Sequence, residues 1–243
     1  MSSTSETGHA KIAANFQDII EFVTAYGTTY NPSKNSLKLP QLNALQATAD
    51  ALLADVIAKN TNYNNKVSER INAFAGLKTL ATRLVNALQT TEATLETINN
   101  AKTFNRKMQG KKASALPAPH DPNSPVPETI STSQQSYDQI IQHLAGILAI
   151  LETEPSYSPN EVELKTTTIQ AKLADLKAKN TAVATAYASV SIARIERNET
   201  FYTSPTSLTE TASEIKMYLK SVFGASGPKY LQVSGIDFSK PRL

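Results

Sequence analysis

Leu53-Ala54-Asp55-Val56-Ile57-Ala58-Lys59-Asn60-Thr61 returns later in the chain as Leu173-Ala174-Asp175-Leu176-Lys177-Ala178-Lys179-Asn180-Thr181, with seven of nine positions identical. A match of that length marks an internal duplication, and a duplication decides how every other segment is read. Upstream, Tyr30-Asn31-Pro32 followed by Leu37-Lys38 matches Tyr157-Ser158-Pro159 followed by Leu164-Lys165. Further upstream, Phe16-Gln17-Asp18-Ile19-Ile20-Glu21 resembles Tyr137-Asp138-Gln139-Ile140-Ile141-Gln142. The Tyr-x-Pro landmarks lie 127 residues apart and the Leu-Ala-Asp landmarks 120 apart, so the second copy lacks seven residues between them. Seven residues are two helical turns, a loss that keeps the same face inward.

The apolar spacing around these landmarks is helical. Ile12, Phe16, Ile19, Ile20 and Val23 form an i, i+3, i+4, i+7 stripe and predict a first helix over 9–29. Pro32 and its predecessor end it. Pro40, at a first-turn position, opens a second helix to Phe74 with a near-heptad seam from Leu42 to Ile71. Gly76 breaks the chain, and a third helix is expected over 77–108 on Leu77, Leu80, Leu84, Leu95 and Ile98. Gly110 to Glu128 holds five of the 12 prolines and reads as a semi-rigid linker. The plan then repeats: a fourth helix over 129–152, a fifth over 160–200, and a sixth that Ser204-Pro205 opens and Phe223 ends. The expectation is an all-α helical bundle of about six helices from two tandem three-helix repeats, with irregular N- and C-terminal tails. Its parts are a first repeat over 1–112, a Pro-rich linker over 113–128, a second repeat over 129–223 and a tail over 224–243. One integrated bundle is preferred, because each copy alone has a small core.

Bulk composition agrees. In 243 residues, 40% are hydrophobic and 19% charged, enough apolar content for a core. Only 8 glycines argue against a many-turned β protein. Without any Cys, disulfides, thiolate metal sites and Cys nucleophiles are excluded. Residues 1–8 are polar and lack the apolar run of a secretory signal, and no apolar stretch approaches the roughly 18 residues of a membrane span. The expectation is a soluble, cytoplasmic protein, with signal-independent export left open.

No Walker, Rossmann or nucleophile-elbow motif is present. A carboxylate-bridged metal centre needs Glu-x-x-His on two helices, a demand that His9, His120 and His143 do not meet. No catalytic residue, cofactor or metal site is therefore expected. Glu196-Arg197-Asn198-Glu199 puts two carboxylates one turn apart, which on so polar a helix reads as a solvated face.

Charge layout is the feature with the clearest functional reading. Lys102, Arg106, Lys107, Lys111 and Lys112 give net +5 over 102–112, and Lys216, Lys220, Lys229, Lys240 and Arg242 against Asp237 give net +4 over 216–243. The whole chain is +3, so the rest carries −6. Two basic ends on an acidic body suit a nucleic acid or other polyanion, with Lys102, Arg106, Lys107, Lys111, Lys112, Lys216, Lys220 and Lys229 as the anion-binding candidates. The plainer reading is that cations at helix C-termini answer the macrodipole. Asn60 and Asn180 sit beside the apolar seams and are candidates for fixing helix register, and the Tyr-x-Pro turns read as structural corners.

Several strings together resemble a family. They are Glu154-Pro155-Ser156-Tyr157-Ser158-Pro159-Asn160-Glu161, Leu176-Lys177-Ala178-Lys179-Asn180-Thr181, Lys220-Ser221-Val222-Phe223-Gly224-Ala225 with Gln232-Val233-Ser234-Gly235, Arg106-Lys107 with Gly110-Lys111, and Ser133-Gln134-Gln135-Ser136-Tyr137. They are similar to an uncharacterised family of tandem-repeat helical-bundle proteins from bacteroidete genomes. The resemblance implies the fold and carries no function. The preferred expectation is a non-enzymatic helical scaffold or protein-interaction protein that self-associates or binds a protein partner. Two alternatives stand beside it: a nucleic-acid or polyanion-binding module, and a membrane-active helical bundle, for which only Ala145 to Leu151 hints at the apolar hairpin required.

Overall fold

A computed structural model describes residues 8–110 and 135–239. Among the described residues every regular element is helical. Helix α1, His9–Ala25, buries Ile12, Phe16, Ile19, Ile20 and Val23 along one face. Gly27, at φ 59°, turns the chain into a corner that ends in a 3₁₀ turn, Asn35–Leu37. The Tyr30 hydroxyl donates to the Leu37 carbonyl at 2.6 Å and closes this corner from inside. Helix α2 follows, Leu39–Phe74. The second copy repeats each step: α5, Tyr137–Thr153, has the same length as α1, 17 residues, Tyr157 donates to Leu164 O at 2.9 Å, a 3₁₀ turn covers Val162–Leu164, and α6 spans Thr166–Asn198.

Burial in the two long helices lines up at an offset of 127 residues. Leu42, Gln46 and Ala49 of α2 are buried, as are Ile169, Leu173 and Leu176 of α6. The repeated nine-residue string, at offset 120, therefore sits two turns farther from its corner in α2 than in α6. A heptad step leaves its inward face unchanged, as the seven-residue loss requires.

Four expectations are corrected. The helix expected over 77–108 is two helices, α3, Leu77–Gln89, and α4, Leu95–Met108. Thr90 and Thr91 turn their hydroxyls onto Ala87 O and Leu88 O, and Thr94 caps α4 by accepting from Thr97 N, so the threonines supply both a stop and a start. The helix expected from Asn160 begins at Thr166, after the 3₁₀ turn, and ends in a π-helical segment, Glu199–Thr203, that seats Phe201 fully inside. Ser204-Pro205 does not open the next helix; Ser207 caps α7, Leu208–Phe223, accepting from Glu210 N. The tail is not wholly irregular: Pro228 starts α8, Pro228–Ser234, whose Val233 is completely buried. The linker and residues 129–134 lie outside the described residues.

The chain divides into two compact units, and their boundaries cut across the expected linear repeats. The first unit takes residues 1–63 and 186–243. Its core joins Phe16, Ile19, Ile20 and Val23 of α1 and Leu42 of α2 to Phe201, Leu208, Ala212, Ile215 and Leu219 near the C-terminus. The second unit takes residues 64–185. There Leu77, Leu84, Leu88, Ile98 and Met108 pack with Leu144, Ile147 and Leu151 of α5 and with Ile169, Leu173 and Leu176 of α6. Each core thus sets the opening hairpin of one sequence copy against the closing helices of the other. Each large side chain so buried contributes about 1.5–3 kcal/mol, and neither copy owns a core by itself.

Candidate functional site

The anion-binding candidates separate into two kinds. On α4, Lys102, Arg106 and Lys107 are all exposed. Their helix turns its other side inward through Ile98, Ala101 and Met108, which leaves the cations on the outer face. Arg106 Nη2 donates to Thr103 Oγ1 at 3.2 Å, and Lys107 Nζ lies 5.9 Å from the Phe104 ring centre. Lys111 and Lys112 lie outside the described residues. Gln109 Nε2 donates to Lys78 O at 2.8 Å, bringing a further exposed lysine, Lys78 of α3, against the last turn of α4. Sequence reasoning missed Lys78 because it precedes the basic run by a whole helix.

In the C-terminal group the cations are turned to internal use. Lys216 Nζ donates to Ser234 O, at 3.2 Å, and to Ile236 O, and stands 5.4 Å from the Phe238 ring centre. It thereby caps the carbonyl end of α8. Burial holds its pKa below the ordinary lysine value, with Asp237 opposing. Lys229 Nζ sits 5.2 and 5.0 Å from the Tyr26 and Phe223 ring centres and donates to Thr29 Oγ1 at 3.0 Å. Tyr26 in turn donates its hydroxyl to Lys229 O at 2.6 Å, and Asn15 Nδ2 donates to Asp237 O at 2.6 Å. Residues 228–238 are stitched down by side chains that donate to backbone carbonyls. Lys220 alone of the described cations in this group is fully exposed, and Lys240 and Arg242 lie outside the described residues.

Asn60 and Asn180 both engage the other long helix. In the second unit Arg70 Nη1 donates to Asn180 Oδ1 at 3.0 Å, and Asn180 Nδ2 donates to Asp138 Oδ1 at 2.7 Å. Arg70 lies 4.1 Å from the Tyr137 ring centre. Beside it, Lys179 and Lys66 each reach Glu69 at 2.8 Å. Hydrogen bonds from Lys179 and then Lys66 hold the Glu69 carboxyl down to about 2. In the first unit Arg194 Nη2 reaches Asn60 Oδ1 at 3.4 Å, a longer contact. Each amide thus bonds to a side chain of the other long helix.

His143 is buried 6.3 Å from the Phe104 ring, and His9 stands edge-on to Phe201 and Tyr202. Burial, then the charge of Arg197, lowers the His9 pKa, with a hydrogen bond to Asn198 opposing. His120 lies outside the described residues. Among the described residues no group of three or more His, Asp or Glu side chains gathers in metal-binding geometry, and no helix is long and apolar enough to cross a membrane.

The outer faces of the long helices carry apolar side chains that the seam reading did not reveal. In the first unit Ile57 of α2 and Ile192 and Ile195 of α6 are 68%, 54% and 63% exposed. Ala188, Ile192 and Ile195 follow at steps of four and three, a second seam on the side of α6 away from Ala186, Val190 and Ala193. Comparison of the chain with protein-family models, with curated proteins and with solved structures finds no match.

Proposed function

We propose that the chain is a non-enzymatic helical scaffold that binds other protein surfaces, its own copies among them, through the outer faces of its long helices. The observation that supports this is the exposed pair Ile192 and Ile195 on α6, in line with Ala188 and in the same unit as Ile57. Single exposed apolar residues are ordinary on soluble proteins. A heptad-spaced set on a helix whose opposite face is already filled is the pattern a second helix packs against. The apolar side chains of this face offer area and shape to a partner helix.

Sedimentation equilibrium of the intact 26.3 kDa chain tests the reading. The expected result is a mass that rises above the monomer with concentration in the tens of micromolar, and returns to monomer in Ile192→Ser/Ile195→Ser. Both side chains are exposed, so the double variant keeps its helicity. A monomer at every concentration removes self-association and leaves a different protein as the surface's partner. Association unchanged in the double variant overturns the assignment of the surface.

A further inference from the structure

We infer that the outer face of α4, extended by Lys78 of α3, is a docking surface for the phosphodiester backbone of a nucleic acid, independent of sequence. This inference concerns the second unit only and stands without the apolar-face reading above.

Helices α3 and α4 together carry Lys78, Arg83, Lys102, Arg106 and Lys107 against a single carboxylate, Glu96. Arg83 is matched by Glu163 at 2.6 Å, but the other four cations are exposed; Lys78, Arg106 and Lys107 lie at the end of the hairpin where Gln109 bonds to Lys78, with Lys102 in mid-helix. Glu96 is in the first turn of α4, where it answers the helix dipole, six residues before Lys102. The macrodipole reading accounts for Arg106 and Lys107 in the last turn of α4. It does not account for Lys102, in mid-helix, or for Lys78, in the first turn of α3, where a cation opposes the dipole. Lys78 is therefore placed against local helix preference, and Lys102 without help from it.

Spacing favours a linear polyanion. Lys102 and Arg106 are one turn apart, about 6 Å along the axis, and the Lys78 carbonyl accepts from Gln109, the residue that follows α4. The exposed neighbours on this face are polar: Thr79, Asn99 and Asn100. A membrane-surface site would set large apolar side chains among its cations, and the exposed leucine of α4, Leu95, is seven residues from Lys102 at the opposite end. Lysine and arginine heads on long stems displace condensed counterions from phosphates and carry sequence-independent binding. The structure also narrows the sequence expectation. Lys216 and Lys229, which composition alone ranked with the α4 cations, are committed to Ser234, Ile236, Tyr26 and Phe223.

The test is fluorescence anisotropy of a labelled DNA duplex of roughly 20 base pairs, titrated with the full chain across 50–200 mM salt. Four phosphate contacts predict a log–log salt slope of about −3.6 and an affinity loss of roughly 100-fold over that range. Lys102→Gln/Arg106→Gln/Lys107→Gln should flatten the slope by about 3 and weaken low-salt binding by at least roughly tenfold. Lys78→Gln should flatten it by about 1, and Lys220→Gln, on the other unit, should leave it unchanged. All these side chains are exposed, and unchanged circular dichroism at 222 nm confirms the fold of each variant. Absence of binding at 50 mM salt overturns the proposal. So does a slope that survives the triple variant, or binding to phosphatidylserine vesicles that the duplex does not compete away.

Discussion

Tyr30 and Tyr157 solve one problem at two corners. Each corner buries the carbonyl of a leucine seven residues on, and in each the tyrosine hydroxyl donates to it. Removing the donor leaves a buried acceptor without its partner, so Tyr157→Phe should cost about 1–2 kcal/mol in urea unfolding, and Tyr30→Phe a similar amount. The same burial, with Glu161 adding, pushes the Tyr157 hydroxyl up to about 12. Its folded value lies above the ordinary value near 10, so the stability it contributes is intact below pH 10 and is lost as pH rises from 10 to 12. Alkaline unfolding of wild type should therefore be steeper through that window than that of Tyr157→Phe. Glu69 behaves in the opposite sense. Its folded value near 2 is below the ordinary carboxylate value, so its contribution is present at neutral pH and is lost as pH falls toward 2. A carbon-detected titration should place its midpoint well below the ordinary glutamate value, and Lys179→Met should move it upward. Lys216 shows where residue-scale reading stops. It was legible as one of the cations of residues 216–243, but the carbonyls it caps belong to residues 18 and 20 positions later, and no local pattern announces such a return.

Among the elements, α4 and α5 meet most intimately at Gly146. A methyl group there would come within 2.6 Å of the Phe104 ring, so the glycine is the socket for that ring. Gly146→Ala gains up to about 1 kcal/mol of helix propensity and incurs about 1–3 kcal/mol of overpacking. Thermal melts should show a net loss, and Phe104→Leu in the same chain should recover part of it; a Gly146→Ala variant more stable than wild type would mean the ring swings aside freely. The apolar stripe of α1 was readable from spacing alone, since Ile12, Phe16, Ile19, Ile20 and Val23 are all buried. The seam of α2 was readable only in its first part: Leu42 and Ala49 are buried, but Ile71 at its far end is 52% exposed. The break between α3 and α4 was harder. Leu84, Thr91 and Leu95 keep the spacing of one helix across it, and the stop depends on Thr90, Thr91 and Thr94 bonding to nearby backbone, a competition that periodicity does not measure. The exposed face of α2 was partly legible after all. In the repeated string the second copy sets Lys177 where the first has Ile57. A lysine in the equivalent position marks a solvent-facing site, and so marks Ile57 as an apolar residue turned outward.

For the molecule as a whole, duplication and division into units do not coincide, and this has a consequence that can be measured. The repeat by itself permits a cut in the proline-rich segment between its two copies. The cores refuse that cut. One draws Phe16, Ile19 and Leu42 from before it and Phe201, Ile215 and Leu219 from after it. The other draws Leu77, Leu84 and Met108 from before and Leu144, Ile147 and Leu176 from after. A fragment of residues 1–112 would hold half of each core, and so would 113–243. Isolated helices in water are marginal without a packed face, so each fragment alone should be partly helical and should melt without a cooperative transition. Mixed in equal amounts, the two should recover the helicity of the intact chain and a single sigmoidal melt by circular dichroism, with a midpoint that rises with concentration because reassembly is bimolecular. Cooperative melting of either fragment alone would show that a sequence copy can build its own core, and the exchange of hairpins between copies would then be a preference of the joined chain and not a requirement of its folding.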